Sequence, residues 1–151
     1  GATQASPRAG AEYRHGRLSL RGAYGQYTQQ PFFLFIAAYP ENRSLSPIRS
    51  DHYVAAAGVD LARGWRVNVE AYRKVYRRYP VSSQIPQLSL ANIGDTFAVR
   101  DILFPLSSAG RGRARGLEVL VERRRAGRWH LHADASWARA RHAGLDGVIR
   151  P

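Results

Sequence analysis

Apolar and polar residues alternate with a period of two along most of this chain. That pattern fixes strands rather than helices, because a strand sends successive side chains to opposite faces. In residues 129–138, Trp129, Leu131, Ala133, Ala135 and Trp137 fall on one face, and His130, His132, Asp134 and Ser136 on the other. In residues 65–74, Trp65, Val67, Val69 and Ala71 alternate with Arg66, Asn68, Glu70 and Tyr72. Leu117, Val119 and Val121 alternate with Glu118, Leu120 and Glu122, where only Leu120 breaks the polar face. Tyr53, Ala55, Ala57 and Val59 oppose His52, Val54, Ala56, Gly58 and Asp60, a weaker polar face. Leu18 and Leu20 begin a further strand that runs to about Tyr27, and residues 9–14 form a shorter first one. Several of these stretches are about 10 residues long, the length of a tilted membrane-crossing strand. Strands of soluble proteins average about 5–6.

The connections alternate between short and long. Residues 15–17, 62–64 and 125–128 are tight turns, each with a glycine. Long connections fall at about residues 28–51 and 77–115. A compact soluble domain seldom carries two loops of that length. Outer-membrane barrels have short periplasmic turns and long outside loops. On that reading the strands at Leu18, Trp65 and Trp129 run toward the exterior, and those at Ala9, His52 and Gly116 run back. Trp65 and Trp129 follow short turns, where the inner aromatic girdle belongs. Tyr53, Trp137 and the Tyr72/Tyr76 pair lie near the long-loop ends, where the outer girdle belongs.

The fold expected is all-β: an antiparallel up-and-down meander of about 6–8 long strands, part of a large transmembrane barrel. The upper count includes a small hairpin within residues 81–104. No apolar run nears the roughly 20 residues of a membrane helix; the longest spans residues 31–38. The pattern opens in mid-course at Gly1 and stops at Pro151 after a turn-like stretch. Residues 1–151 are therefore expected to be a barrel segment without a signal peptide. Such an open sheet exposes two edges that lipid cannot satisfy, so alone it should aggregate or need detergent.

The 151 residues contain no cysteine and carry a formal charge of +12, with Lys74 the only lysine. Disulfides and thiolate metal sites are thereby excluded. The excess arginine raises nucleic acid, anionic headgroups and acidic polysaccharide as partners. Nucleic acid requires basic residues on one continuous face. Here residues 111–115 and 123–128 cluster at strand ends, separated by apolar stripes. The first cluster would sit at the outer leaflet against lipopolysaccharide phosphates, the second in a periplasmic turn.

No catalytic motif is present: no nucleophile elbow, P-loop or dinucleotide fingerprint. His130, His132 and Asp134 share a face and invite a metal reading. That face is polar in any case, so no metal or cofactor is expected. Arg21, Arg66, Glu70, Lys74, Glu118, Glu122 and Asp134 are expected on the lumen face, as a cross-strand ion-pair ladder that sets register, rather than as a carboxylate pair for hydrolysis. The aromatic stretch of residues 29–40 supplies Phe32, Phe33, Phe35 and Tyr39 as candidate substrate contacts.

Several segments, taken in order, resemble the C-terminal part of the barrel of TonB-dependent outer-membrane receptors. Residues 20–31, LRGAYGQYTQQP, resemble the strand that enters a loop through a tyrosine and Gln-Pro. Residues 42–60, NRSLSPIRSDHYVAAAGVD, resemble that family's N-x-x-L-x-P segment ending in His-Tyr and a glycine, with Asp60 at the usual acidic position. Residues 69–81, VEAYRKVYRRYPV, carry its Tyr-x-Lys-x-Tyr core. Residues 90–94, LANIG, 110–121, GRGRARGLEVLV, and 136–141, SWARAR, resemble elements that follow. The resemblance covers nearly the whole chain. It implies location in a Gram-negative outer membrane, with its lipid and lipopolysaccharide as surroundings. It also implies non-catalytic, energised uptake of a scarce nutrient (siderophore, cobalamin, glycan or peptide), with a TonB-type coupling protein as partner and a plug domain, expected to be absent from residues 1–151, against the lumen-face residues. The residues leave open a plug-less porin-type barrel, which flanking sequence would distinguish. They also leave open a soluble basic β-domain binding nucleic acid, which a detergent-free monomer would reveal.

Overall fold

A computed structural model describes residues 5–90, 105–126 and 129–151 of the chain. The strands are β1 (Arg8–His15), β2 (Leu18–Gln29), β3 (Ile48–Asp60), β4 (Trp65–Ser82), β5 (Leu106–Ala126), β6 (Trp129–Ala143) and β7 (Ile149–Arg150). They form one 7-stranded sheet in the order β1-β2-β3-β4-β5-β6-β7. Every neighbouring pair is antiparallel. The all-β meander expected from the alternation is what forms. Among the described residues no helix is long and apolar enough to cross a membrane, which says nothing of strands.

The tight turns are built by left-handed backbone. Gly16 has φ 56° and reverses β1 into β2; Arg63 at 59° and Gly64 at 78° do the same between β3 and β4. Residues 127–128 of the third turn lie outside the described residues.

The strands run further than the alternation reveals. β4 has 18 residues and β5 has 21. The connections between strands are therefore residues 30–47 and 83–105, shorter at both ends than the sequence pattern indicates. Past Ala71 and before Leu117 the apolar-face positions are mostly arginine, so hydrophobic periodicity fades while the backbone ladder continues. A bulge at Arg78, φ 59°, shifts the β4–β5 register near the top. The proposed hairpin within residues 81–104 is described only in part, as a Val81–Ser89 bridge; the LANIG element, from Ala91 on, lies outside the described residues. The seventh strand comes instead from Ile149–Arg150, paired with His142 and Ala143.

Among the described residues no layer covers the sheet on either face. The small buried core, Phe35, Val81 and Leu106 with Asn42, Ser82 and Ser89, lies at the long-connection end. There residues 33–38 form the short helix α1 (Phe33–Ala38), followed by a 3-10 turn at Pro40–Ser44.

Candidate functional site: two faces and a loop platform

Cross-strand register places every residue on one of two faces. One row of the polar face reads Glu12, Arg21, Ala56, Glu70, Glu118, Ser136 across six strands. The next reads Arg14, Ser19, Gly58, Asn68, Leu120, Asp134, and the one after ends in Arg66, Glu122 and His132. The sequence-derived set Arg21, Arg66, Glu70, Lys74, Glu118, Glu122 and Asp134 thus shares one face. All but Lys74, which lies farther up that face, line a shallow concavity of about 830 Å³.

Among the described residues the ion pairs on this face are separate rather than a continuous ladder. Arg21 reaches across the small Ala56 to Glu70, with Nη2 2.8 Å from Oε2. Arg66 meets Asp60 at 3.4 Å and donates to Asn68 Oδ1 at 3.3 Å. Glu118 and Asp134 have no ion pair among the described residues, and Glu118 lies directly opposite Glu70. Like charges facing across a ladder are unfavourable, so this wall holds negative charge open to whatever lies against it. His130 and His132 stand 6.4 Å apart by ring centroids. Among the described residues no group of three His, Asp or Glu is placed to hold a metal.

The other face is apolar through its middle. Its rows are Val59, Val67, Val121 and Ala133; Leu20, Ala57, Val69, Val119 and Ala135; and Ala55, Ala71, Leu117 and Trp137. Leu20, Val69, Leu117, Leu131 and Trp137 are all exposed. Ordinary soluble monomers rarely expose contiguous apolar rows of this kind. At the short-turn end Trp65 stands in register with Arg123, whose guanidinium lies 5.6 Å from the indole centroid. Trp129 is nearby and 74% exposed. At the other end Tyr53 and Trp137 occupy adjacent rows, and Tyr24 packs on Tyr53 at 5.1 Å. From Trp65 to Arg73, whose row holds Tyr53, is eight residues. That is about 27 Å of strand, or about 21 Å of height at a tilt of about 40°. The band is close to the about 25 Å apolar belt of outer-membrane barrels.

Two aromatic expectations need correction. Tyr72 and Tyr76 lie on the polar face, not in the outer girdle, because they share parity with Glu70. Tyr72 covers Gly116, where an added Cβ would stand 2.6 Å from the ring, and Tyr76 lies over Gly112. These rings fill the space left by missing side chains on the neighbouring strand.

In the loop platform Phe33 is 72% exposed and Phe32 is also exposed, but Phe35 is only 6% exposed. Phe35 packs edge-on to Phe32 at 5.9 Å. Its burial removes it from the substrate-contact set: α1 turns its side chain into the core, a detail invisible while residues 29–40 are read as an irregular loop. Tyr39 is partly buried between α1 and the 3-10 turn. Sequence reasoning named Asn42 only as the first residue of the family-like N-x-x-L-x-P segment and gave it no role; it is fully buried and ties this platform to β5. Its Nδ2 donates to the Phe35 carbonyl and its Oδ1 accepts from the Leu106 N–H, both at 2.7 Å. Nothing in the local pattern separates Asn42 from an exposed turn residue.

Comparison with known protein families matches residues 1–148 to the TonB dependent receptor-like, beta-barrel family. No curated protein matches the chain. The fold, the two-faced sheet and this match agree: the chain belongs to the TonB dependent receptor-like β-barrel family, whose role is reception and transport at the outer membrane.

Proposed function

We propose that this chain supplies wall and extracellular loops to a receptor that takes up a scarce nutrient through the Gram-negative outer membrane. A siderophore, cobalamin, a glycan or a peptide would be the cargo. Energy comes from a TonB-type coupling protein, and a plug domain packs against the polar wall. The observation that carries this reading is the division of the sheet into faces. One is an uncovered apolar band bordered by aromatics, suited to lipid. The other is a charged concavity, suited to a hydrated lumen and a polar plug. Glu118 and Asp134, open on that wall, are offered as contacts for basic groups of the plug. Phe32 and Phe33 are offered as cargo contacts on the platform.

Adjacent residues of β5 provide the test. Val119 faces lipid and Leu120 faces the lumen. In the intact receptor folded into lipid vesicles, Val119→Arg is expected to cost about 2–4 kcal/mol, the cost of arginine on the lipid face near the midplane. Leu120→Arg, among polar neighbours, is expected to cost less than about 1 kcal/mol. Equal losses in urea titrations would refute the assignment of faces.

A further inference from the structure

Just above the apolar band, on the same face, the side chains change to arginine. Arg73, Arg115 and Arg139 are directly in register across β4, β5 and β6. Arg113 and Arg141 form the next row. Together Arg73, Arg113, Arg115, Arg139 and Arg141 line a cleft of about 250 Å³, with Ala114 the one other lining residue among those described. Strands lie about 4.8 Å apart and alternate residues about 6.7 Å, so the guanidinium groups root in a patch of about 10 by 7 Å.

Among the described residues none of the five has a carboxylate partner. The nearest acid on this face, Asp51, already engages Arg49 at 3.3 Å and Arg77 at 3.4 Å. Five like charges placed side by side across a ladder repel one another. An arrangement of this kind gains stability when a polyanion enters it, and guanidinium forks match phosphate oxygens in pairs. The location restricts the anion. Directly below the cleft lie Leu117, Val119 and Trp137, and Arg115 sits 5.9 Å from the Trp137 ring centroid. A ligand seated here places anionic groups on the arginines and must cover apolar surface beneath.

We infer that the five-arginine cleft is a binding site for the phosphorylated headgroup of an outer-leaflet acyl lipid, of the bis-phosphorylated lipid A type, whose chains lie along the apolar band. The inference rests on the membrane-barrel reading above and adds a specific site to it. Nucleic acid and acidic protein would leave the apolar rows below the cleft bare. Free phosphate would satisfy the charges without using those rows.

Native mass spectrometry of the intact receptor in nonionic detergent tests this, with four probes: bis-phosphorylated lipid A, its monophosphorylated form, phosphatidylethanolamine and inorganic phosphate. Bis-phosphorylated lipid A is expected to bind most tightly. Combined Arg113→Gln, Arg139→Gln and Arg141→Gln substitution is expected to weaken it at least about tenfold, and lysine at the same positions to restore part of the loss. Arg17→Gln, in the β1–β2 turn, should change nothing. Wild-type binding no tighter for the bis-phosphorylated lipid than for phosphatidylethanolamine would overturn the proposal. So would unchanged binding by the glutamine variant, or full competition by inorganic phosphate at equal concentration. If the glutamine variant does not assemble, the ranking of lipids on the wild type decides. A failed lipid test on a receptor that still shows the Val119/Leu120 contrast would sink only this site, whereas loss of that contrast would sink the barrel reading itself.

Discussion

Asn42 offers the sharpest test of how the loop platform is held. Its side chain has no contact with solvent. It donates to the Phe35 carbonyl and accepts from the Leu106 amide, both at 2.7 Å. The two partners are 64 residues apart in the case of Leu106 and 7 in the case of Phe35. The amide therefore clamps α1 onto the first residue of β5. Asn42→Ala removes the acceptor of the buried Leu106 N–H and a donor to the buried Phe35 carbonyl. Each loss is expected to cost about 1–3 kcal/mol, giving about 2–6 kcal/mol together. At about 1.4 kcal/mol per tenfold, the lower limit raises the population of the opened platform about 25-fold.

Hydrogen exchange read by mass spectrometry, on peptides covering residues 33–44 and 105–110, would report that opening. The Leu106 amide is expected to exchange at least about 25-fold faster in Asn42→Ala. Asn42→Asp keeps an acceptor for Leu106 but sets a buried carboxylate oxygen against the Phe35 carbonyl, so its effect should be at least as large as that of alanine and concentrate on α1. Because the clamp lies above the apolar band, exchange around Val119 should not change. A Leu106 amide within about threefold of wild type in Asn42→Ala would refute the clamp. An equal rise in exchange at Val119 would show that Asn42 instead supports the whole sheet.

Two further outcomes follow from local geometry. At Gly110 an added Cβ would stand 2.6 Å from the Tyr79 carbonyl and 2.5 Å from Val81 Cγ1; Gly110→Ala must therefore displace backbone at the bulge and should cost about 1–3 kcal/mol in a urea titration, while Gly22→Ala, in open space, should not. Beyond β6, Arg150 holds the Asp146 carboxyl below its usual range, chiefly by hydrogen bonding, and Asp146 in turn accepts from the Val148 amide at 3.1 Å. A lowered folded-state pKa gives a contribution fully present above the ordinary aspartate value and lost as pH falls through the lowered one. Protection of the Val148 amide, corrected for intrinsic exchange, should thus hold at neutral pH and fall only below about pH 4; Asp146→Asn should lack it at pH 7, and equal protection at pH 3 and pH 7 would contradict the linkage.

Parity made the strands legible. Trp65, Val67, Val69 and Ala71 announce β4, and the seven polar residues from Arg21 to Asp134 fall on one face because each keeps its place in that alternation. The strand ends were not legible, because hydrophobicity is the signal and these strands outrun it: Arg73, Val75 and Arg77 continue the same face with one apolar residue in three. The same extrapolation would have found Arg139 and Arg141, two and four residues beyond Trp137. It would also have moved Tyr72 and Tyr76 out of the outer girdle. Phe35 and Asn42 are different. Their burial depends on how α1 meets β5 across 64 residues of sequence, and no local period encodes such a meeting.

If the sheet spans the outer membrane as proposed, the odd-numbered residues of β5 also determine how deeply it is immersed. They read Arg111, Arg113, Arg115, then Leu117, Val119, Val121, then Arg123. The strand has 21 residues, about twice what a crossing needs. Its hydrogen-bond ladder alone would let it slide along the membrane normal, since every register with the bilayer leaves the backbone equally paired. Side chains remove that freedom. Moving β5 outward by one alternate pair draws Arg123 into hydrocarbon, and moving it inward draws in Arg115; an arginine is tolerated near the interface but costs about 2–4 kcal/mol near the midplane. Val119 lies midway between these two arginines, four residues from each. On the proposed reading the depth is thus fixed by charges on the lipid face, not by where the strand starts or stops, and the part of β4 and β5 above Arg115 would stand outside the bilayer and carry the loop platform.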